Sequence, residues 1–271
     1  MATAEQLDFT PRWSSWVETK ADVAIALREL FAEAHRFFAQ ETSAKEPHRA
    51  TVAMSGWRSV GVEYSQSPDR PDLNETYCYR LADEARKAVP ASTLADLCRT
   101  AQRGLDLLAA RQLKLLAARC GLSEGEVTER AVRTRSESWL QLNYSRPATA
   151  GRTFVQEAHE DGHLVTFLLA DANGLEIALS NDEWTPVLPT PERLLCFGGE
   201  CGALLTGDLI SPMPHQVRAR ADVPLRVSIA YFVNPDLDQT LEPWTRNERN
   251  TGVDLLRWGQ QNPVRFGLPA L

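Results

Sequence analysis

The sequence lacks the features that mark nucleic-acid-binding and membrane proteins. It has no long run of basic residues, and 29 lysines and arginines stand against 36 aspartates and glutamates, which gives a net charge of −7. Nucleic-acid binding depends on clustered positive charge, so we expect no nucleic-acid partner. The longest apolar run, Leu164 to Ala170, is interrupted by a threonine. It is far shorter than the roughly 20 residues of a membrane span, so we expect no membrane partner either.

Cysteine is also scarce, and its spacing is unlike that of a metal knuckle. The five cysteines form no CxxC pair, and an odd number of widely spaced thiols suits a reducing compartment better than a secreted protein. The start of the chain, MATAEQLDFTPRWSSW, has no basic segment followed by an apolar stretch, which is the pattern of a secretory leader. We therefore expect a soluble, cytoplasmic protein.

The composition that remains is that of a globular protein with a sizeable core. Hydrophobic residues make up 43% of the 271 residues and charged residues 24%. Dividing the length by about 150 residues gives about two domains, but β-barrels of this size often form one. We expect one domain over residues 1–271, with a mostly helical flanking part over 1–135, a β core over 136–236 and a C-terminal lid or tail over 237–271.

The first half of the chain shows helical periodicity in two segments. Ala21 to Gln40 predicts a helix, and Ser92 to Arg119 predicts a second one, with Ser92 or Thr93 as its N-cap. We expect both helices to cover a sheet. Gly61 to Tyr79 is dense in Pro, Asp, Asn and Ser and predicts an ordered loop. The apolar stripe of the first helix has a period near 3.6 and comprises Val23, Ile25, Ala26, Leu27, Leu30, Phe31, Phe37 and Phe38.

From Trp139 onward, short apolar runs alternate with turn signals, as in an antiparallel sandwich or barrel. After Pro235, a tail with a short helix over Asp254–Trp258 could close one end of the barrel. The predicted strands are Trp139–Tyr144, Leu164–Asp171, Leu175–Leu179, Trp184–Leu188, Arg193–Phe197, His215–Arg220 and Leu225–Val233.

Two histidines and one aspartate form the sharpest constellation in this half. His159 and Asp161 are separated by one residue, so in extended backbone their side chains point to the same side. His215 begins a predicted strand 56 positions after His159 and could complete a facial triad, which leaves three positions of an octahedral iron open. An isolated HxD is common by chance, so this pattern alone remains open to a surface-loop interpretation. His163 is expected to have a role beside the site or on the surface.

Arg226 and Ser228 strengthen the metal interpretation. They follow His215 by 11 and 13 residues, across a predicted hairpin, and their i, i+2 spacing places guanidinium and hydroxyl on one face of a strand. Such a pair can hold the carboxylate of a co-substrate. Taken alone, Arg226 is better explained as an arginine in an ordinary ion pair on a strand.

The segments HEDGHLVTFLLAD, GLEIALSNDEWTPVLPTPERLLCFGG, HQV and LRVSIAYFVNPD together resemble the iron(II)- and 2-oxoglutarate-dependent dioxygenases of the isopenicillin N synthase-like family. The resemblance covers Gln141 to Pro235 and extends weakly to Tyr64–Glu75. It implies a double-stranded β-helix, or jelly roll, in a mainly β fold with flanking α-helices. The sequence departs from the family at Ser145 and Gln216, where tyrosine and arginine are usual. Its short N-terminal region is also expected to lack the family's opening strand.

The resemblance also implies the residues of the site. Its iron ligands would be His159, Asp161 and His215, and Arg226 and Ser228 would bind the far carboxylate of 2-oxoglutarate. Further co-substrate contacts would come from Asn143 and Tyr144. Four residues of the polar loop, Glu63, Tyr64, Arg70 and Asp72, could meet the substrate, although a solvated loop is an equally good interpretation.

The expected function is that of a dioxygenase that uses Fe(II), 2-oxoglutarate and O2 to oxidise a small polar metabolite in natural-product biosynthesis. Retention of Asp161 favours hydroxylation, desaturation or oxidative cyclisation over halogenation. The acidic charge balance slightly favours a neutral or cationic substrate. Two alternatives stay open: an isopenicillin N synthase-like oxidase that does not use 2-oxoglutarate, and a non-catalytic ligand-binding barrel. The oligomeric state is not predicted.

Overall fold

A computed structural model describes residues 12–50, 55–85, 88–123, 137–146, 151–180, 183–190 and 192–234, together with short pieces between 240 and 261. Its helices are α1 (Ala21–Phe38), α2 (Thr42–Lys45), α3 (Leu81–Ala85), α4 (Thr93–Arg119) and α5 (Glu200–Thr206). Its strands are β1 (Ser14–Glu18), β2 (Gly56–Arg58), β3 (Asn74–Tyr79), β4 (Trp139–Ser145), β5 (Phe154–His159), β6 (Val165–Ala170), β7 (Leu175–Ser180), β8 (Glu183–Pro186), β9 (Arg193–Gly198), β10 (His215–Arg218), β11 (Arg226–Val233), β12 (Thr240–Leu241) and β13 (Val253–Asp254).

Two antiparallel sheets form the body of the fold. The larger sheet has the order β1-β9-β6-β11-β4-β3-β2, and the smaller has the order β5-β10-β7-β8. Most neighbouring strands are remote in sequence, as in a jelly roll rather than a meander. The predicted mainly β fold with flanking helices is confirmed. No helix among the described residues is long and apolar enough to cross a membrane.

Apolar side chains pack in two layers, one on each side of the larger sheet. The first layer lies between this sheet and the long helices α1 and α4, which confirms that both helices cover a sheet. The second lies between the two sheets and joins residues such as Val155, Ile177 and Phe197. The larger sheet is therefore covered on both faces. An internal cavity lies on the side that faces the smaller sheet, and residues of both sheets line it.

The helix α4 has the bounds and the N-cap that the sequence predicts, and α1 begins as predicted but ends at Phe38, two residues before Gln40. The Oγ atom of Ser92 accepts a hydrogen bond from the backbone N–H of Ala95, 3.1 Å away, so Ser92 is the N-cap of α4. In α1, the buried stripe runs through Val23, Leu27 and Leu30. Ile25 was wrongly placed on this stripe and is 48% exposed, because two residues from Val23 correspond to about 200° around a helix.

The sequence analysis missed six strands, which are β1, β2, β3, β5, β12 and β13. β3 ends the segment that was predicted to be a loop, and its polar residues Asn74 and Thr76 are buried. In β5, Gln156 is partly buried and Glu157 is buried. These polar residues interrupt the alternation of apolar and polar residues that predicts a strand. β1 pairs with β9, so an opening strand is present. The expected tail helix is also wrong at its start, because Asp254 belongs to β13; residues 255–256 lie outside the described residues.

The division into a helical flank, a β core and a tail stays a prediction. Residues 1–135 nevertheless contribute β1, β2 and β3 to the larger sheet, besides the helices α1 to α4. The flank and the core thus share one continuous sheet, because β3 pairs directly with β4.

The start of α5 lies directly against the loop after β5. The backbone N–H of Glu200 donates to the carbonyl of Asp161, and that of Gly199 donates to the carbonyl of Leu164. A Cβ atom at Gly199 would lie 2.2 Å from the carbonyl oxygen of His163 and 2.8 Å from that of Asp161. Only glycine permits this approach, which holds the loop that carries Asp161 in place.

We expect the substitution Gly199→Ala to lower the free energy of unfolding by about 1–3 kcal/mol, because the added methyl group must push α5 away from the loop. Urea denaturation measures this change, and anaerobic titration with Co(II) reports whether the predicted metal ligand Asp161 has moved. The matched control is Gly61→Ala, whose Cβ meets nothing within 4 Å. Gly61→Ala should strain a backbone with φ of +90° but leave the Co(II) affinity unchanged. We expect Gly199→Ala to lower the Co(II) affinity. An unchanged Co(II) affinity in Gly199→Ala would contradict the role of Gly199 in holding Asp161 in place.

Candidate active site

His159, Asp161 and His215 converge on the cavity between the two sheets. The Nε2 atoms of His159 and His215 lie 3.8 and 3.7 Å from the Oδ1 atom of Asp161. Candidate ligand atoms of the three residues all lie within 4.8 Å of one another. His159 is the last residue of β5 and pairs directly with His215, the first residue of β10. The triad predicted from the sequence is therefore brought together by strand pairing.

Backbone carbonyl groups orient both imidazole rings. The Nδ1 atom of His159 lies 2.8 Å from the carbonyl oxygen of Glu157, and that of His215 lies 3.0 Å from the carbonyl oxygen of Met213. A carbonyl oxygen only accepts, so each Nδ1 carries the hydrogen. The lone pair of each neutral ring is then on Nε2, the atom that faces Asp161.

The protonation states also suit a metal. Burial lowers the pKa of His215 to about 4, and His159 contributes in the same direction while Asp161 opposes it. Burial works against ionisation of Asp161, but nearby His215, His163 and His159 and a hydrogen bond from Thr166 outweigh it and lower the pKa of Asp161. A neutral imidazole beside a carboxylate is the state in which these groups bind a cation.

The donor set fits ferrous iron. Metal–ligand bonds of about 2.1 Å can join atoms that lie up to roughly twice that distance apart, and the separations of 3.7 and 3.8 Å fall within this limit. Two imidazoles and one carboxylate are the facial triad of non-haem iron(II) oxygenases, with open positions for other ligands. Among the described residues, no further histidine, cysteine or carboxylate joins the group, whereas a closed structural site would have a fourth ligand.

Arg226 and Ser228 line the same cavity and suit an anionic ligand. Arg226 is 4% exposed, and its Nη1 atom donates to Ser228 Oγ at 3.1 Å. Its Nε atom is buried and has no hydrogen-bond partner among the described residues. Burial lowers the pKa of Arg226 to about 10, with Asp171 opposing the shift, so the side chain remains cationic at neutral pH. A buried cation with an unused donor fits a carboxylate such as that of 2-oxoglutarate.

Asn143 and Tyr144, both expected to contact the co-substrate, lie on opposite faces of β4. Asn143 lines the cavity, and its Nδ2 atom lies 3.5 Å from Ser228 Oγ. Tyr144 instead stacks on Phe38 of α1, with ring centroids 4.9 Å apart, in the layer between sheet and helices. Successive side chains of a strand point to opposite faces, so Tyr144 is corrected to a core residue.

The polar loop contributes three of its four expected residues to the cavity. Glu63, Tyr64 and Asp72 line it and are buried. Both Oδ atoms of Asp72 accept from Ser65 Oγ, and burial raises the pKa of Asp72, with His159 opposing the rise. Arg70 is corrected to a surface position: its side chain is 57% exposed, and its Nη2 atom lies 3.1 Å from Glu157 Oε1.

Several further residues at the cavity were not found from the sequence. Gln141 lies on the same face of β4 as Asn143, and the i, i+2 spacing of a strand could have revealed it. Thr166 holds Asp161 through its hydroxyl group. His163 is buried beside the triad and points its Nδ1 atom at Asn234 Oδ1, 2.9 Å away. The role beside the site that was expected for His163 agrees with this position.

Part of the chain, which includes the triad, is similar to a known family. The model of the 2OG-Fe(II) oxygenase superfamily matches residues 136–235. Jasmonate-induced oxygenase 2 of Arabidopsis thaliana is 26% identical over 234 residues, which cover 83% of this chain and 61% of that protein. The 1-aminocyclopropane-1-carboxylate oxidase homolog 9 of the same plant is 40% identical over 76 residues, which are 28% of this chain and 20% of that protein. The chain thus spans between a fifth and about three fifths of the length of these relatives.

A solved structure supports the fold over nearly the whole chain. The crystal structure of JOX2 in complex with 2OG, Fe and JA superposes with a TM-score of 0.77 at 21% identity, covering 95% of this chain and 79% of that one. The fold is thus a jelly roll, and the triad has the ligand types of a non-haem iron site. Residues 136–235 thus match the 2OG-Fe(II) oxygenase superfamily, into which the isopenicillin N synthase-like family predicted from the sequence fits.

We expect His215→Ala to weaken Fe(II) binding at least about 100-fold, while the fold stays largely intact at a cost of about 1–3 kcal/mol in unfolding free energy. The variant retains only two of the three proposed metal ligands, and two ligands hold the metal less tightly than three. Anaerobic metal titration of the purified variant measures the affinity, and circular dichroism checks the fold. The half-exposed His35 on α1 supplies the control: His35→Ala should bind Fe(II) as the unaltered protein does. Unchanged Fe(II) binding in His215→Ala would remove that residue from the site.

Proposed function

We propose that this protein is an iron(II)- and 2-oxoglutarate-dependent dioxygenase that oxidises a small polar metabolite. The observation that carries the proposal is the meeting, in one cavity, of the His159–Asp161–His215 triad with the buried cation Arg226. When bound, ferrous iron with 2-oxoglutarate and O2 supplies the oxidising power to remove hydrogen from a C–H bond, while 2-oxoglutarate is converted to succinate and CO2.

The chain's own residues bind and orient the reactants. His159, Asp161 and His215 hold the metal, and the carbonyl groups of Glu157 and Met213 keep both imidazole rings turned toward it. Arg226 and Ser228 bind the far carboxylate of 2-oxoglutarate and so direct its keto acid end toward the metal. Asn143 supports Ser228 from the neighbouring strand. The apolar residues Leu168 and Phe197 line the same cavity and limit the entry of water.

The reaction is hydroxylation, desaturation or oxidative ring closure. Halogenation needs a coordination position for a halide, and the carboxylate of Asp161 takes that position. We also propose that Glu63, Tyr64 and Asp72 contact the substrate. Support comes from their burial at the cavity wall. Because two of the three are carboxylic acids, a neutral or cationic substrate group suits this wall better than an anionic one.

A role in natural-product biosynthesis and a cytoplasmic location belong to the same proposal. All five cysteines are free thiols, which agrees with a reducing compartment. Measuring succinate release against substrate consumption distinguishes this proposal from an isopenicillin N synthase-like oxidase, which would oxidise its substrate without succinate. A non-catalytic barrel would release none and consume no O2 with any of the candidate metabolites.

We expect Arg226→Ala to raise the apparent Kd of 2-oxoglutarate roughly 10- to 100-fold, because the variant loses charge-assisted hydrogen bonds to a carboxylate. Anaerobic titration of the iron-loaded protein with 2-oxoglutarate, followed by the weak visible charge-transfer band, measures the Kd. Arg220→Ala is the control, since Arg220 is exposed and pairs with Asp222 at 2.8 Å. Unchanged 2-oxoglutarate affinity in Arg226→Ala would remove Arg226 from the binding site.

A further inference from the structure

A row of buried polar side chains crosses the larger sheet and ends at Arg226. Thr76 of β3, Asn143 of β4 and Ser228 of β11 lie side by side, because Thr76 pairs with Asn143 and Asn143 pairs with Ser228. Gln141 lies on the same face of β4, and Glu63 reaches the row from the polar loop. All these residues except Thr76 line the cavity. Hydrogen bonds join them in the order Thr76, Glu63, Gln141, Asn143, Ser228 and Arg226.

The carboxylate of Glu63 determines the orientation of the Gln141 amide. Gln141 Nε2 donates to Glu63 Oε2 at 3.1 Å and to Asn143 Oδ1 at 2.9 Å, and Gln141 Oε1 accepts from Cys78 Sγ at 3.3 Å. Glu63 Oε2 and Asn143 Oδ1 both accept in this arrangement, so the nitrogen of Gln141, and not its oxygen, faces Glu63. The same NH2 group then presents its second hydrogen to Asn143.

The orientation of Gln141 passes to Asn143 and then to Ser228. Asn143 Oδ1 accepts from Gln141 and also from Asn74 Nδ2 at 3.3 Å. Its Nδ2 atom therefore faces Ser228 Oγ. Because Arg226 Nη1 also donates to this oxygen, the Ser228 oxygen receives two hydrogens from the protein. Its own hydrogen remains to be donated, and none of the described residues accepts it.

Donor groups face both oxygens of the Glu63 carboxyl group. Burial raises the pKa of Glu63, and Asp72 adds to the rise. Three neighbours oppose it: the guanidinium of Arg58, whose Nε atom lies 3.8 Å from Oε1, the Thr76 hydroxyl that donates to Oε1 at 2.8 Å, and the Gln141 amide. The carboxylate thus serves as an acceptor on both of its oxygens.

We propose that Glu63 is a positioning residue for the co-substrate: through Gln141 and Asn143 it directs the hydroxyl hydrogen of Ser228 into the cavity, toward an anionic oxygen ligand. This inference rests on the proposed function, in which Arg226 and Ser228 bind the far carboxylate of 2-oxoglutarate. Glu63 would then orient the Ser228 hydroxyl group in addition to contacting the substrate. Gln141 would link Glu63 to Asn143.

The substitution Glu63→Gln tests the proposal. A glutamine has nearly the same shape but can present either an oxygen or an NH2 group to Gln141, so the fixed direction of the chain is lost. The apparent Kd of 2-oxoglutarate should rise about tenfold, measured by the anaerobic charge-transfer titration of the iron-loaded protein. The Kd of 2-oxobutyrate, a keto acid without the far carboxylate, should stay within about twofold of its original value.

Two further variants separate positioning from general damage to the structure. Gln141→Leu removes both donations and should weaken 2-oxoglutarate binding selectively, as Glu63→Gln does. In a Ser228→Ala background, Glu63→Gln should cause no additional loss, because its effect passes through the Ser228 hydroxyl. Gln112→Leu, a buried glutamine of α4, is the control for loss of a buried amide and should alter neither Kd.

The outcomes are distinct. Selective weakening of 2-oxoglutarate binding that disappears without Ser228 supports the proposal. Equal weakening of both keto acids, or an undiminished effect in the Ser228→Ala background, overturns it, as does unchanged 2-oxoglutarate affinity in a folded Glu63→Gln protein. If the unaltered iron-loaded protein fails to bind 2-oxoglutarate, the proposed function itself is wrong.

Discussion

The pairing of β5 with β10 is the constraint on which the rest of the site depends. It sets the last residue of β5, His159, directly opposite the first residue of β10, His215, with 55 residues of chain between them. A shift of this register by one residue would turn one imidazole away from the other, because side chains alternate across a strand. The backbone carbonyl groups that orient both rings belong to the same two segments. The hydrogen bonds of the smaller sheet thus determine the relative positions of the two histidine side chains.

The two faces of the larger sheet bury different kinds of side chain. Its outer face packs apolar side chains against α1 and α4, while part of its inner face carries Asn143, Ser228 and Arg226 into a cavity. Polar groups are costly to bury unless they are hydrogen-bonded, and the row from Glu63 to Arg226 meets this condition almost throughout. The exceptions in this row, among the described residues, are the Nε atom of Arg226 and the hydroxyl hydrogen of Ser228. Unused donors thus remain where the proposed anionic ligand would bind.

Two of the strands that sequence analysis missed, β3 and β5, carry polar residues at buried or partly buried positions. Asn74–Tyr79 contains asparagine, glutamate and threonine, and Phe154–His159 contains glutamine and glutamate, because one side of each strand faces polar neighbours. Apolar alternation, the main signal for a strand, is therefore weak in both. The long helices gave a clear signal because they cover the apolar face of the sheet. Ile25 was misplaced only because a broad stripe was assumed where the packed face is narrow.

The sequence by itself determined the class of fold, the two long helices and the three metal-binding candidates, because periodicity, capping residues and the HxD spacing are local patterns. It also determined the Arg226–Ser228 pair, since two residues of one strand share a face whatever the sheet around them. Only the tertiary structure decided that Tyr144 faces the core, that Arg70 lies at the surface and that Glu63 reaches Gln141. These facts depend on which distant strands and loops become neighbours, and that choice follows from the packing of the whole chain rather than from any one segment.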